Sequence, residues 1–260
     1  MISSSTDIHG ALRARQRGYL LNPFRFGAPP AGDPHYASVK ILLHGNAANG
    51  STVAQSSDPA AQVGTSDNGC AVSTAQAKWG SGSWLFSAPS NHRLRFPSTN
   101  LHVGSSDFVI EGWIYPTALP AAQATIISNY GSSGVRGIDV RLDSTGKIAS
   151  RWSLNGSTDA AAISSAASVT LNAWQHFVVR RSGSSMRVYL AGTGGTDNTS
   201  IGASAINGPV TEAWIGGTPD TGGGTWFLGA YLDDLRITVG TDRGYTGAAI
   251  SVPTAQFPDA

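Results

Sequence analysis

The chain has 260 residues, of which 13% are charged, and a formal net charge of +1. A protein with so little net charge has no global field to attract nucleic acid or an acidic membrane surface, so we expect neither as a partner. Its single cysteine excludes an intramolecular disulfide and a cysteine-based zinc cluster. The N-terminal residues lack the apolar run of a signal peptide, and no later segment is apolar for the length of a membrane span.

Residues 1–36 differ in composition from the rest of the chain. They combine arginine, proline and aromatic residues with almost no acid, and their prolines favour an extended path without regular ladder bonds. Exposed aromatic side chains here would be costly to leave in water. We therefore predict an extended N-terminal arm that anchors the protein on a partner, the alternative being a disordered leader. The residues predicted to bind that partner are Arg13, Arg15, Arg17, Tyr19, Phe24, Arg25 and Phe26.

From residue 38 onward, short apolar runs alternate with polar turns, and no long segment has the 3.6-residue period of a helix. Residues 45–69 are rich in Gly, Asn, Ser and Asp and are predicted to be a loop. Many short strands at close spacing predict an all-β, two-sheet antiparallel sandwich or jelly roll. Apart from the hairpin described next, the predicted strands are residues 39–44, 83–87, 93–96, 107–115, 124–130, 137–142, 147–154, 212–215 and 226–239.

A β-hairpin is predicted over residues 171–192. His176 and Val178 share one parity, Phe177 and Val179 share the other, and a Ser-Gly-Ser-Ser turn leads into a second apolar arm. Alternation with period 2, broken by a glycine turn between aromatic and β-branched residues, is typical of antiparallel strands.

Several local motifs, taken together, resemble one family. STAQAKWGSGSWLF, SSDFVIEGWIYPT, NAWQHFVVRR with MRVYLAG, AWIGG and FLGAYLDDLRIT occur in this order, and they resemble the laminin-G-like domains of the concanavalin A-like lectin/glucanase superfamily. The resemblance implies an antiparallel jelly roll whose N- and C-terminal strands pair, in a domain that we place at residues 37–260. The ending, residues 244–258, is similar to the version of this domain in bacteriophage virion proteins.

The resemblance raises the question of catalysis and of bound calcium. Glycosidases of the superfamily carry paired acids on one strand, but Glu111 and Glu212 each stand alone, so we expect no enzyme and keep a glycosidase only as a remote alternative. The family often binds calcium near an acid of the penultimate strand, and Asp233 or Asp234 matches that position, with Asp58 as a second candidate ligand. The alternative is that one of the pair Asp233 and Asp234 caps a turn or accepts backbone hydrogen bonds. No other cofactor is expected.

Two functions are predicted from these features. The first is a structural protein of a phage particle, a capsid decoration or tail-associated protein that is made in the host bacterial cytoplasm, anchored by its arm to other virion proteins and assembled as a homo-oligomer, for example a trimer. The second is a lectin-like module that binds carbohydrate or a host receptor, and the two roles can coexist. The predicted glycan contacts are Asn129, Tyr130, Trp152, Asn155 and Asp159.

Overall fold

The protein folds into two antiparallel β-sheets of eight strands each. The structure is a computed structural model that describes residues 32–209, 211–219 and 226–260. The predicted arm with its seven partner-binding residues, Arg13 to Phe26, lies outside the described residues. In the part of the chain that is described, no helix is long and apolar enough to cross a membrane.

The first sheet has the strand order β14-β13-β12-β7-β16-β5-β4, and β1 also pairs with β16. Its strands are β1 (Val39–Leu43), β4 (Ala71–Ser73), β5 (Ser83–Phe86), β7 (Phe108–Pro116), β12 (Gln175–Ser182), β13 (Ser185–Leu190), β14 (Thr193–Gly194) and β16 (Ala230–Val239). The pairing of β1 with β16 joins the first strand to the last, as the resemblance implied.

The second sheet has the strand order β11-β10-β9-β8-β15-β6-β3-β2. Its strands are β2 (Ala54–Gln55), β3 (Val63–Asp67), β6 (Arg93–Phe96), β8 (Gln123–Ser128), β9 (Ile138–Asp143), β10 (Lys147–Ser153), β11 (Asp159–Ser168) and β15 (Ala213–Ile215). Short 3-10 helices occur at Tyr36–Ser38, Ala88–Ser90 and Ser98–Leu101. The predicted all-β, two-sheet antiparallel sandwich is therefore confirmed.

The predicted hairpin is formed by β12 and β13. Ser182 pairs with Ser185, and Gly183 takes a left-handed conformation with φ of 56° in the turn between them. Phe177 and Val179 lie in the main core between the sheets. Val178 belongs to a separate cluster on the opposite face of the sheet, so both faces of this strand are buried.

The outer face of the first sheet is partly covered by the end of the chain. Tyr245 and Ile250 pack against the cluster that contains Val178, and Phe257 packs with Val39 and Leu42 on the neighbouring strand. Full burial of an apolar side chain such as Phe257 stabilises the fold by about 1.5–3 kcal/mol, and the partly buried Tyr245 and Ile250 contribute less. The C-terminal segment is thus an integral part of the domain.

The compact unit comprises Gly32–Ala260. Within it, Asp33 is buried and forms ion pairs with Arg236 and Arg243, at 3.0 and 2.6 Å. Residues 32–36 therefore pack as part of the domain, although composition alone groups them with the arm.

Five strands were not predicted from the sequence. The prediction of a loop over residues 45–69 is wrong in two places, because β2 and β3 lie within it, and β4, β11 and β14 were also missed. Most of these strands are short or made of small and polar residues, as in β11 with its sequence DAAAISSAAS. They form because a neighbouring strand offers hydrogen bonds, which leaves little trace in hydrophobic periodicity.

Candidate functional site

A band of charged and aromatic side chains crosses the outer face of the second sheet. Arg95 lies opposite Trp214, Trp214 opposite Ser128, Ser128 opposite Asp139, and Asp139 opposite Arg151. Side chains at directly paired positions point to the same face of a sheet. We call this surface the charged face, and its members are Asp67, Arg93, Arg95, Asp139, Arg141, Lys147, Arg151, Glu212 and Trp214.

Asp139 lies at the centre of the charged face and is fully buried. Arg151 donates from Nε to Oδ2 of Asp139 at 3.1 Å, and Nη1 of Arg141 lies 3.6 Å from the same oxygen. Burial raises the pKa of Asp139 above its usual value, and the two arginines offset only part of that effect. One carboxylate is thus shared between two guanidinium groups.

At one end of the charged face, Arg95 bridges two acids. It donates from Nε to Asp67 at 2.7 Å and from Nη1 to Glu212 at 2.9 Å, and these hydrogen bonds, first that to Asp67, raise the pKa of its guanidinium. Arg93 also binds Asp67, and its guanidinium lies 4.4 Å from the centre of the half-buried Trp214 ring. An aromatic ring and fixed donors and acceptors are therefore held together at the surface.

At the opposite end, aromatic and charged groups meet again. The guanidinium of Arg151 lies 4.0 Å from the centre of the Tyr130 ring and 5.1 Å from that of Trp226. Tyr130 donates its hydroxyl hydrogen to Asp159, and burial, followed by this hydrogen bond, raises the pKa of Tyr130 to about 12. Arg136 lies 3.5 Å from Asp159.

Two guanidinium nitrogens at this end have no hydrogen-bond partner. Nε of Arg136 and Nη2 of Arg151 are buried and unpaired among the described residues. Because an unsatisfied buried donor is costly, such groups usually bind water or a ligand. They show that the hydrogen bonding at this end of the charged face is incomplete.

An open cleft of about 700 Å³ lies at the β11 end of the charged face. Small side chains from β10 and β11 line it together with Arg141, Lys147 and Asp143, and the loop formed by residues 194–198 closes one side. Clefts of this size accommodate small-molecule ligands. The loop approaches β11 so closely that a Cβ on Gly195 would lie 2.2 Å from the carbonyl oxygen of Ser164.

The structure brings together only part of the predicted glycan contacts. Tyr130 and Asp159 meet at the edge of the charged face. Trp152 has no exposed surface and lies in the main core, and Asn129 is also fully buried, where it accepts the N–H of Ile138 at 2.8 Å. Asn155 is exposed, but its side-chain oxygen accepts two backbone N–H groups of its own turn.

The sequence did contain a signal for the residues that were missed. Asp139, Arg141 and Asp143 alternate along β9, and Arg93 and Arg95 alternate along β6. Charges at every second position of a strand indicate a polar face. The paired register that joins these strands is not visible in the sequence.

The predicted calcium ligands are engaged in other hydrogen bonds. Asp233 accepts the backbone N–H groups of Lys78 and Trp79, both at 3.0 Å, and burial followed by the charge of Asp234 outweighs these bonds and raises its pKa. Asp58 accepts the N–H groups of Ala60 and Gln62. The contacts of Asp233 match the alternative in which one aspartate of the pair accepts backbone hydrogen bonds.

Asp234 is the third predicted calcium ligand. One of its oxygens accepts the backbone N–H of Phe257 at 2.8 Å, and the other lies 2.7 Å from Nδ1 of His44. Burial alone would lower the pKa of His44, but Asp234 and then Asp259 raise it. In the described part of the chain, no group of three or more His, Cys, Asp or Glu side chains could hold a metal ion, so calcium at these residues stays a prediction.

Comparisons with known proteins agree with this fold. A family model described as the concanavalin A-like lectin/glucanases superfamily matches residues 86–240, more than half of the chain. No curated protein matches the sequence. Among solved structures, the chain is similar to domain 4 of AbnA, a GH43 extracellular arabinanase from Geobacillus stearothermophilus, in complex with arabinotriose, with 18% identity and a TM-score of 0.54 over 78% of this chain and 93% of that domain.

Two other similar structures are longer than the chain. The botulinum neurotoxin serotype C1 binding domain matches with 15% identity and a TM-score of 0.55 over 80% of this chain and 50% of that one. A mutant of Trypanosoma rangeli sialidase displaying trans-sialidase activity matches with 15% identity and a TM-score of 0.53, over 85% of this chain and 33% of that one. At these identities the likeness establishes only the fold. Together with the family match over residues 86–240, it leads to the conclusion that the chain belongs to the concanavalin A-like lectin/glucanase superfamily.

Proposed function

We propose that the charged face and its cleft bind a glycan, so that the chain acts as a carbohydrate-binding module. The observation that carries this proposal is the band from Arg95 through Trp214 and Asp139 to Arg151, which lies beside an open cleft. A sugar hydroxyl both donates and accepts hydrogen bonds, and paired guanidinium and carboxylate groups supply both partners. Half-buried tryptophan rings offer an apolar surface to the faces of sugar rings.

The similar structures support a ligand of this class. Domain 4 of the arabinanase is described in complex with arabinotriose, and its match covers 93% of that domain. Another similar structure concerns cell entry of botulinum neurotoxin type C, which depends on interaction with two ganglioside molecules, although the chain spans only half of that protein. Because identities are 18% and 14%, no binding residue is transferred from either protein.

We propose binding rather than glycoside hydrolysis. Hydrolysis by this superfamily requires two acids that flank one bond. Glu111 lies fully buried on the outer face of the first sheet, where Arg236 binds it at 2.7 Å, whereas Glu212 directly precedes β15 of the second sheet and binds Arg95. The two glutamates therefore cannot serve as an acid and base pair in this fold.

The experiment is a glycan array screened with the full chain, followed by titration of each bound glycan. Trp214→Ala removes the aromatic ring at the Arg95 end of the charged face and is expected to abolish binding. Trp174→Ala is the matched control, because Trp174 is also half-buried but packs against Tyr115 on the first sheet, with the centres of the two rings 5.5 Å apart. Loss of binding in the control variant with retention in Trp214→Ala would contradict the proposed location of the site.

We further propose that this module is part of a phage particle. The support is the resemblance of residues 244–258 to the ending of virion proteins, together with the position of that segment across the first sheet, which leaves the second sheet free to bind a ligand. In this proposal the protein is a capsid decoration or tail-associated protein, made in the host bacterial cytoplasm and assembled as a homo-oligomer such as a trimer. Glycans of the host surface would then be the ligand.

Co-sedimentation with particles that lack the protein tests the virion role. Full-length protein should bind such particles saturably, and deletion of residues 1–31 should abolish binding while the compact unit Gly32–Ala260 stays folded. Binding to host cells without binding to particles would refute the virion role and retain the glycan-binding one.

A further inference from the structure

The cleft at the β11 end of the charged face carries positive charge that its surroundings do not neutralise. The ammonium group of Lys147 has no ion pair or hydrogen bond among the described residues. Arg141 forms one ion pair, with Asp139 at 3.6 Å, and its charge also acts on Asp143. Asp139 also binds Arg151, which in turn pairs with Asp159 at 3.6 Å, so Arg141 receives only a share of the negative charge of Asp139.

The acids of the cleft do not supply the missing charge. Asp143 is bound within its own turn, where it accepts the N–H groups of Thr145 and Lys147 at 2.8 and 2.9 Å. Asp197, on the loop that closes the cleft, forms ion pairs with Arg180 and Arg187. Asp197 is thus compensated by arginines outside the cleft, and Asp143 is the one remaining carboxylate of the lining against the two cations Arg141 and Lys147, so the cleft carries a net positive charge.

The shape of the cleft suits a compact ligand. Its sheet side is lined by Ala149, Ala162, Ser164 and Ala166, whose small side chains leave room above the strands. The loop opposite is fixed close to β11 at Gly195, where no side chain would fit. The volume of about 700 Å³ is in the range that holds a small ligand. The two cations of the lining, Arg141 and Lys147, can bind a single anionic group, whereas a long polyanion would need a row of cations.

We propose that this cleft binds an acidic sugar, with Arg141 and Lys147 holding its carboxylate or sulfate group. The proposal rests on the proposed glycan-binding function and adds the class of saccharide. A charge-assisted hydrogen bond to an anionic group is about twice as strong as one between neutral groups. The acidic group therefore provides the selectivity, while the remainder of the charged face contacts the hydroxyl groups.

Isothermal titration of the full chain with matched saccharides tests this proposal. The first set is lactose, sialyllactose and sulfated lactose, and the second is tri-galactose and tri-galacturonate. We expect at least one acidic saccharide to bind about tenfold or more tightly than its neutral counterpart, and the difference to shrink as salt is added. The carboxylate and sulfate members of the first set distinguish the two anionic groups.

Lys147→Ala should remove this selectivity, with the affinity for the preferred acidic saccharide falling about tenfold and that for the neutral one unchanged. Lys40→Ala is the matched control, because Lys40 is also partly exposed and unpaired among the described residues but lies on β1 of the first sheet. Equal binding of acidic and neutral saccharides, or unchanged selectivity in Lys147→Ala, would overturn the acidic-sugar proposal alone. If no saccharide binds in these titrations or on the array, both proposals are wrong.

Discussion

The outer faces of the two sheets carry similar charged residues, but the two faces differ in how these residues are paired. On the first sheet, Arg236 binds Glu111 at 2.7 Å and Asp33 at 3.0 Å, and its guanidinium lies 3.6 Å from the centre of the Phe257 ring. On the second sheet, Arg151 and Arg141 share Asp139, and Nη2 of Arg151 has no hydrogen-bond partner among the described residues. The first arrangement is complete within the chain, whereas the second leaves a donor of Arg151 unsatisfied.

The comparison teaches that charge alone does not mark a binding site. Glu111 accepts hydrogen bonds from Arg236 and from the hydroxyl of Tyr245, at 2.7 and 3.1 Å. Glu111 and Arg236 thus find their partners within the chain, although Nε of Arg180 and Nε of Arg187 on the same sheet are buried without a hydrogen-bond partner among the described residues. What distinguishes the charged face is the combination of incomplete pairing with an open cleft.

The largest expected effect follows from uncovering the first sheet. Deletion of residues 244–260 removes Tyr245, Ile250 and Phe257, and it exposes Val178 and the ion pair of Arg236 with Glu111. We expect the truncated chain to lose its cooperative thermal unfolding transition, because apolar burial and the partners of buried charges are lost together.

Deletion of residues 1–31 is the control for this truncation. It removes a longer segment but leaves the compact unit Gly32–Ala260 entire, so the melting temperature should be retained. A truncated chain without residues 244–260 that still melts cooperatively at the temperature of the full chain would contradict the covering role of that segment.

The next largest effect compares single arginines on the two faces. Arg236→Met leaves Glu111 and Asp33 buried with fewer partners and should lower the free energy of unfolding by about 3–5 kcal/mol. Arg151→Met should cost about 1–2 kcal/mol, because Asp139 retains Arg141 and can take up a proton, given its raised pKa. Urea denaturation of the two variants measures both values. Equal losses of unfolding free energy would contradict the distinction between complete pairing around Arg236 and incomplete pairing around Arg151.

A smaller effect is expected on the pH dependence of stability. Burial alone would raise the pKa of Glu111, but Arg236 and other neighbours lower it from 4.5 to about 2. A carboxyl group whose pKa is lower in the folded state stabilises the fold above its unfolded pKa and loses that contribution as the pH falls. For Glu111 the contribution is about 3 kcal/mol at pH 7, lost between about pH 5 and pH 2.

The contribution of Asp139 to the pH dependence of stability has the opposite sign. Because its pKa is raised in the folded state, acidification favours the folded form through this residue. Glu111→Gln should therefore flatten the loss of stability toward low pH, while Asp139→Asn should make it steeper. Urea denaturation from pH 7 to pH 3 checks both variants, and an unchanged pH profile in Glu111→Gln would show that other carboxyl groups control acid unfolding.

The sequence predicted the centre of each sheet better than its ends. The strands β7, β12 and β16 carry bulky apolar residues at alternate positions, and each was predicted with one or both ends within two residues. The four strands at the ends of the two strand orders, β2, β4, β11 and β14, were missed, whereas β1, which also pairs with one neighbour only, was predicted from its apolar run. A terminal strand is paired on one side and buries less apolar surface, so its composition carries a weaker signal.

The charged face was missed for a different reason. Its row of residues joins Arg95, Asp139 and Trp214 through the register of strands that are distant in the sequence. Loop composition identified only Tyr130 and Asp159, at the edge of that face. Local patterns indicate that a strand has a polar side, but only the pairing of strands determines which polar sides meet.

The smallest effect is expected from added calcium, and it concerns two aspartates on β16 of the first sheet. The predicted ligand Asp233 already accepts three backbone N–H groups, from Gly45, Lys78 and Trp79, and Asp234 accepts one from Phe257. A cation at these oxygens would have to displace those donors, each of which contributes about 1 kcal/mol. Calcium added to metal-free protein should therefore leave the melting temperature unchanged, as it should in Asp233→Asn. A clear rise in the full chain that is absent from Asp233→Asn would instead place a calcium ion at this aspartate and would mean that the segment around Lys78 rearranges to admit it.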